Sequence, residues 1–322
     1  MADKEIGKTR IVCLGGGIGT SVLVSGLKKY NPHITVITSM ADDGGSSGRL
    51  RKGYGILPPG DLISCIAALI EDENKEMASL LKYRFPGQSR ENKAIDGHKL
   101  GNLIMLAELL RTKDIYKALE ATKKMFGVKA DILPASDQRT HLGAVTSDGR
   151  IIHSETALDL ARYAEPYGLK KIFITPKSPV VNQRVIESLK NADVIISGPG
   201  DLYTNQLPVL IIPQIKELLL KSKARKIFVL NIANKPYETK GFSLEDFTET
   251  IKTHLGVFPF KTVIANNNTS FPVPNKYRKY KFIKVDPSKK WNFDLVLEDI
   301  VDSQFSIYHD CDKLAKAITE KI

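Results

Sequence analysis

Cysteine is scarce in this sequence. Cys13, Cys65 and Cys311 are the only three in 322 residues, they lie far apart, and no CxxC pair occurs. Nothing indicates a disulfide framework, so a reducing compartment, the cytoplasm, is the expectation. No run of about 18 apolar residues exists, which removes a membrane-spanning helix. The opening residues, MADKEIGKTR, are polar and do not read as a signal peptide. There is no fixed-period repeat and no low-complexity linker. Ser-His-Asp order, a G-x-S-x-G elbow and an H-E-x-x-H pair are all missing, and those catalytic classes drop out with them.

What is present is ordinary globular composition, with 42% hydrophobic and 26% charged residues. Lysine and arginine number 47 against 36 acids, a net charge of +11. The densest basic stretch, Lys276 to Lys281, is short, and the other basic residues are interspersed with acids. A solvated surface and an anionic small ligand account for this balance better than nucleic acid does.

Strands and helices alternate along the chain. Thr9–Leu14 reads as a buried strand, Ser21–Tyr30 as a helix and Ile34–Met40 as a second strand, a β-α-β unit of about 30 residues. Ala41–Arg49 and Leu57–Asp61 read as a long functional loop. Helices are expected over 61–84 and 99–125, and residues 128–156 as a small antiparallel insert. The alternation then resumes: strands at Ala192–Ser197, Lys226–Ile232 and Thr262–Ala265, helices at Leu207–Lys221 and Phe242–His254, and a closing helix over 311–321. The expected class is α/β, a Rossmann-like, doubly wound, mostly parallel sheet with a small antiparallel insert, forming one domain over 1–322.

Glycines mark the candidate chemistry. Gly15, Gly16, Gly17 and Gly19, followed by Thr20, sit at a strand-to-helix turn, where backbone N–H groups and a helix N-terminus suit a phosphate. The strict G-x-G-x-x-G spacing and a Walker A lysine are both missing. Asp42 and Asp43 end the second strand and admit three roles: ribose binding, Mg²⁺ coordination, or capping of the following turns. The β-α-Asp spacing alone also fits an NAD-type binder. Gly44–Gly48, with Gly45, Ser46 and Ser47, then Arg49 and Arg51, form a second candidate phosphate cradle. Gly60 precedes Asp61, a metal ligand, a base or a helix N-cap. His98 opens a helix with Asn102 and is an acid/base candidate or a local hydrogen-bonder. Gly198, Pro199 and Gly200, with Tyr203 and Thr204, end a later strand as the first glycine loop does. Asn231 follows the next strand on the same edge. Two such loops at strand carboxyl ends flank one crevice, the ligand site of open α/β sheets.

Taken together, these strings resemble a known family. Gly15–Gly19, Ala41–Arg51, Pro58–Asp61, Tyr83–Phe85, Gly97–Asn102 and Gly198–Thr204 are similar to the YvcK, or gluconeogenesis factor, branch of the CofD-like proteins. The resemblance runs from about residue 9 to His309 and Asp310. It implies a Rossmann-like fold, a nucleotide-sugar ligand such as UDP-N-acetylglucosamine or UDP-glucose, and a regulatory role linked to central carbon metabolism and cell shape. A protein partner, unidentified, and a homodimer are implied as well. The CofD branch implies the alternative, a Mg²⁺-dependent 2-phospho-L-lactate transferase acting on a guanylated donor and the deazaflavin alcohol Fo. Asp43 and Asp61 would then hold the metal, and Asp43, Asp61 and His98 are the catalytic candidates. Three positions depart from the pattern: Asp201 where Gly-Pro-Gly-Ser is usual, Lys235-Pro-Tyr237-Glu-Thr where Gln-Pro-Gly-Glu-Thr is usual, and Tyr308 in place of an arginine.

Overall fold

The computed structural model describes residues 7–31, 33–87, 94–159 and 168–322, so the first six residues of the polar N-terminus lie outside the described residues. The first half runs β1 (Ile11–Gly15), α1 (Gly17–Leu27), β2 (Ile34–Thr38), α2 (Gly45–Tyr54), α3 (Gly60–Leu69), α4 (Lys75–Lys82), α5 (Leu100–Thr112), α6 (Ile115–Met125) and β3 (Asp131–Pro134). The insert follows as β4 (His141–Thr146), β5 (Ile151–His153), α7 (Glu155–Asp159) and β6 (Leu169–Thr175). The second half runs α8 (Gln183–Asn191), β7 (Val194–Ser197), a π-helical turn over Leu202–Gln206, α9 (Leu207–Leu210), α10 (Pro213–Lys221), β8 (Arg225–Val229) and β9 (Ala233–Asn234). It closes with α11 (Leu244–Leu255), β10 (Thr262–Asn266), β11 (Lys281–Phe282), β12 (Asp294–Glu298) and α12 (Cys311–Thr319).

Seven strands form one sheet in the order β12-β10-β8-β7-β1-β2-β3, and every pairing in it is parallel. The two strands at the middle of the sheet, β7 and β1, are buried along their whole length because helices cover both faces. Side chains alternate between the two layers. Ile11 and Cys13 pack under α1, α3 and α12, while Val12 and Leu14 face α8–α11 and the insert. The chain order reverses between β1 and β7, where Leu14 lies opposite Ser197. That reversal is the topological switch point, and it fixes the site. No helix among the described residues is long and apolar enough to cross a membrane.

The structure revises several element boundaries. Residues 128–134 do not belong to the insert, because β3 pairs in parallel with β2 as an edge of the main sheet. The insert is three-stranded, β5-β4-β6, and takes its third strand from Leu169–Thr175. A four-residue strand is too short for its periodicity to declare a partner. The helix expected over 99–125 breaks at Lys113, which has φ 55°, and Asp114 then caps a new helix by accepting the N–H groups of Tyr116 and Lys117. The 207–221 helix breaks ahead of Pro213. Residues 45–49, expected as loop, open a helix that runs to Tyr54. Leu50 and Ile56 anchor that segment against Leu106, and this tertiary packing overrides its glycine and serine content. Strand β12 has no counterpart among the expected elements.

Candidate functional site

The switch point sets two loops side by side. β1 delivers the glycines at 15–19 and β7 delivers Gly198–Gly200. Only glycine fits where they touch. A Cβ on Gly19 would lie 2.4 Å from the carbonyl oxygen of Pro199, and one on Gly16 would lie 2.2 Å from Asp61 Oδ2. Helix α1 starts at Gly17 with no cap from Gly16; the Asp61 carboxylate takes the Gly17 N–H, and Ile18 and Gly19 of the first turn line the cleft. Thr20 is buried in the first turn with an unpartnered Oγ1, and Gly15 still belongs to the strand.

Three cavities open around these loops. The first, about 340 Å³, is bounded by Asp42, Gly45, Asp61, Glu155, Asp159, Thr204 and Asn205. Its wall is acidic. Burial lifts the Asp61 carboxyl to about 7, with Asp42 adding to the shift. Burial, then Asp42 and Asp159, lift Glu155 to about 9. Asp42 is raised as well, again chiefly by burial, although its Oδ1 accepts the Gly44 N–H at 2.9 Å. The second cavity, about 170 Å³, adds Ser46, Ser47, Gly60 and Asn102, together with two cations, Arg84 and Lys99. Burial and the neighbouring Arg84 lower the Lys99 pKa. Carboxylates on one side and cations on the other suit a phosphate carrying a divalent ion.

Several predicted residues hold the loops instead of facing the cavities. Asp43 accepts from Thr156 N–H (2.8 Å), Thr156 Oγ1 (2.7 Å), Glu155 N–H (3.2 Å) and Ser154 Oγ (3.3 Å), and so caps α7 from a distance in sequence. His98 Nδ1 lies 2.9 Å from Ser46 Oγ, which also accepts from Asn102 Nδ2 at 3.0 Å. Burial and Arg49 lower the His98 pKa, keeping the ring neutral. Arg49 is exposed and donates to the Asp96 carbonyl. Arg51 is buried on the carbonyls of Met40, Asp42 and Thr140, so the phosphate role expected of its guanidinium gives way to a structural one.

The second loop is fastened in the same way. Asn231 Oδ1 accepts the Gly200 N–H at 3.0 Å. Glu238 Oε1 accepts the N–H groups of Tyr203 (2.8 Å) and Thr204 (3.0 Å). The Tyr203 ring is 2% exposed, packs in the core under α11 and lines none of the three cavities. Lys235 reaches Asp201 at 2.7 Å and Glu238 at 3.2 Å, and also contacts Asp159. Burial opposes its charge, but Glu238, Asp201 and Asp159 prevail and raise its pKa. The third cavity, about 360 Å³, lies beside this cluster, with Gly17, Gly19, Pro199, Gly200 and Asn231 on its rim.

The family model for 2-phospho-L-lactate transferase CofD matches residues 11–307. The chain belongs to the CofD family. Within it, the gluconeogenesis factor of Halalkalibacterium halodurans is 34% identical over 319 residues, covering 97% of this chain and 96% of that protein. The gluconeogenesis factor of Bacillus subtilis is 33% identical over 324 residues, covering 97% and 98%. A Nostoc sp. relative is 40% identical over 247 residues, but this match spans 77% of the chain and only 52% of that longer protein. The crystal structure of a UPF0052 family member from Bacillus halodurans superposes with a TM-score of 0.87 at 34% identity, covering 97% of this chain and 98% of that one. This CofD-family chain thus falls in the gluconeogenesis factor branch.

A Mg²⁺ ion, implied by the CofD relationship, asks for hard oxygen ligands. Asp42 and Asp61 fit, since both line the first two cavities. Asp43 does not, because its oxygens already accept four hydrogen bonds. Among the described residues, the three acids with oxygens within 4.8 Å of one another are Asp159, Asp201 and Glu238. Their shared cation is the Lys235 ammonium. Sequence reasoning missed Arg84, Lys99, Glu155, Asp159, Asn205 and the Lys235 cluster as site residues. They stand on elements far apart in sequence; Arg84 and Lys99 lie inside the Tyr83–Phe85 and Gly97–Asn102 strings that carry the family resemblance, and Asp201 and Lys235 mark departures from its pattern, but Glu155 and Asp159 carry no such signal.

Proposed function

We propose that this CofD-family chain binds a UDP-sugar without consuming it and acts as a regulator tied to central carbon metabolism and cell shape. The observation that carries the reading is the contact between the glycine loops after β1 and β7, with the first turn of α1 between them. The diphosphate sits against the N–H groups of Ile18 and Gly19 in the first turn of α1, since Asp61 and Asn231 already accept those of Gly17 and Gly200. Asp42 and Asp61 would hold Mg²⁺, which neutralises diphosphate charge when bound. Arg84 and Lys99 face the remaining negative charge. Regulation needs a protein partner, and a homodimer is part of the same proposal.

A second reading rests on the acidic wall. Asp61, lifted to about 7, is placed to take a proton from an attacking hydroxyl, as a transferase acting on a guanylated donor and Fo requires. Calorimetric titration with UDP-N-acetylglucosamine, with and without Mg²⁺, followed by chromatography of the ligand, separates the two. Saturable binding with the ligand recovered intact supports the regulator. Mg²⁺-dependent GTP binding without UDP-sugar binding sinks it and favours the transferase.

A further inference from the structure

A fourth cavity, of about 390 Å³, lies at the other end of the sheet from the glycine loops. Those loops follow the carboxyl ends of β1 and β7. This cavity is bounded by Lys261 and Phe293, which directly precede β10 and β12 of the same parallel sheet. Glu245, Thr248, Glu249 and Lys252, at helical spacing, close it with the outer face of α11, whose inner face buries Leu244, Phe247 and Ile251. One wall is aromatic. Trp291 and Phe293 stack at 5.2 Å with their planes 25° apart, and Phe258 packs on Phe293 at 5.5 Å. Phe258 in turn meets Phe228 and Phe260 edge-on, both in the core, so the wall has a rigid base.

The charges around this wall do not balance. Lys252, Lys261, Lys289 and Lys290 line the cavity against two acids. Glu249 is taken by Lys252 at 3.0 Å. Glu245 is taken by Lys289, whose ammonium also lies 4.9 Å from the Trp291 ring centre. Lys261 and Lys290 are exposed and make no ion pair among the described residues. The surplus is felt nearby, since burial and the charge of Lys261 lower the Lys226 pKa. Trp291 Nε1 is buried with no acceptor among the described residues. An indole N–H can only donate. The cavity therefore offers donors and positive charge beside a flat apolar wall, in a volume that suits a small ligand. We propose that it binds a phosphate monoester carried on a flat apolar ring, with Lys261 and Lys290 on the phosphate and the Trp291–Phe293–Phe258 wall against the ring. Such a phosphate carries about −1.5 to −2 charge at pH 7 and three acceptor oxygens. Two uncompensated ammoniums match the charge, and the indole N–H is a third donor. A carboxylate, with one charge and two oxygens, matches less well. The site is separate from the glycine loops and does not depend on what they bind.

Trp291 is the only tryptophan of the chain, so its emission reports on this cavity alone. The test titrates the full chain with phenyl phosphate and, in parallel, with inorganic phosphate, phenol and benzoate. Phenyl phosphate is expected to shift the Trp291 emission saturably and to bind at least tenfold more tightly than the other three, which lack the ring, the charge or the second charge. The double variant Lys261→Ala/Lys290→Ala is expected to weaken phenyl phosphate at least tenfold. Its ligand-free emission and melting temperature should match wild type, which shows the aromatic wall intact. Excess UDP-N-acetylglucosamine should leave the phenyl phosphate titration unchanged. No saturable shift, equal affinity for phenol, benzoate or inorganic phosphate, or a double variant that binds as wild type does, overturns the proposal. Displacement of phenyl phosphate by the UDP-sugar also overturns it, because the probe would then sit at the glycine loops, and the nucleotide reading would stand.

Discussion

Replacing Asp61 by Asn is expected to stabilise the ligand-free protein while impairing its site. The carboxyl rises from 3.8 to about 7, with burial as the main cause. At 1.36 kcal/mol per pH unit the full cost of ionising it in the folded state is roughly 4 kcal/mol. Asp61 lies on an open cleft, so water and side-chain relaxation bring the realised cost to about 1–3 kcal/mol. The direction follows from proton counting. Between about pH 4 and pH 7 the folded state holds a proton that the unfolded state has released. Stability therefore falls as pH rises through that window and stays lowered above it. Asparagine keeps an oxygen for the Gly17 N–H and carries no charge. Urea melts of both proteins should coincide near pH 4 and separate by about 1–3 kcal/mol in favour of the variant at pH 8. Asp42 and Glu155 titrate in both proteins and largely cancel from the difference. The same variant should lose Mg²⁺-dependent ligand binding. A stability gap that does not grow with pH, or a variant weaker than wild type at pH 8, would refute the buried-carboxylate argument.

Three further outcomes follow from the same geometry. Gly19→Ala puts a methyl 2.4 Å from the Pro199 carbonyl and must push the loops apart; UDP-sugar affinity by calorimetry should fall more than tenfold, with about 1–3 kcal/mol lost in urea melts. Lys235→Met leaves Asp159, Asp201 and Glu238 without their cation and should cost about 3–5 kcal/mol at pH 8. Burial already holds Glu238 near 7 against the pull of Lys235, so protonation below that value should shrink the loss in melts at pH 5. Tyr203→Phe removes a hydroxyl that reaches the Leu169 carbonyl at 3.3 Å; it should cost about 1 kcal/mol and leave ligand affinity unchanged, as befits a core ring.

Five of the seven strands of the parallel sheet were legible as short apolar runs, and two of them, β1 and β7, close on glycine. Gly15 after Leu14 and Gly198 after Ser197 announced two strand carboxyl ends, and their adjacency at the switch point follows from the α/β pattern. Side-chain roles were less legible. Asp42 and Asp43 are neighbours in sequence with the same chemistry, yet one turns to the cavities and the other caps α7 more than a hundred residues away. Which carboxylate does which depends on where the insert docks, and no local pattern records that. Arg49 and Arg51 divided likewise: the alternation of the helix sent Arg51 inward to three carbonyls and Arg49 out to solvent. Lys235 and its acids come from three segments and meet only in the folded chain.

The central claim is that a nucleotide diphosphate lies between the glycine loops that follow β1 and β7. Diffraction from crystals grown with UDP-N-acetylglucosamine and Mg²⁺ tests it most directly. The account predicts diphosphate density within hydrogen-bonding distance of the backbone N–H groups of Ile18 and Gly19, with a metal ion against Asp42 and Asp61. An ordered ligand elsewhere on the molecule, with these loops bare, would contradict it.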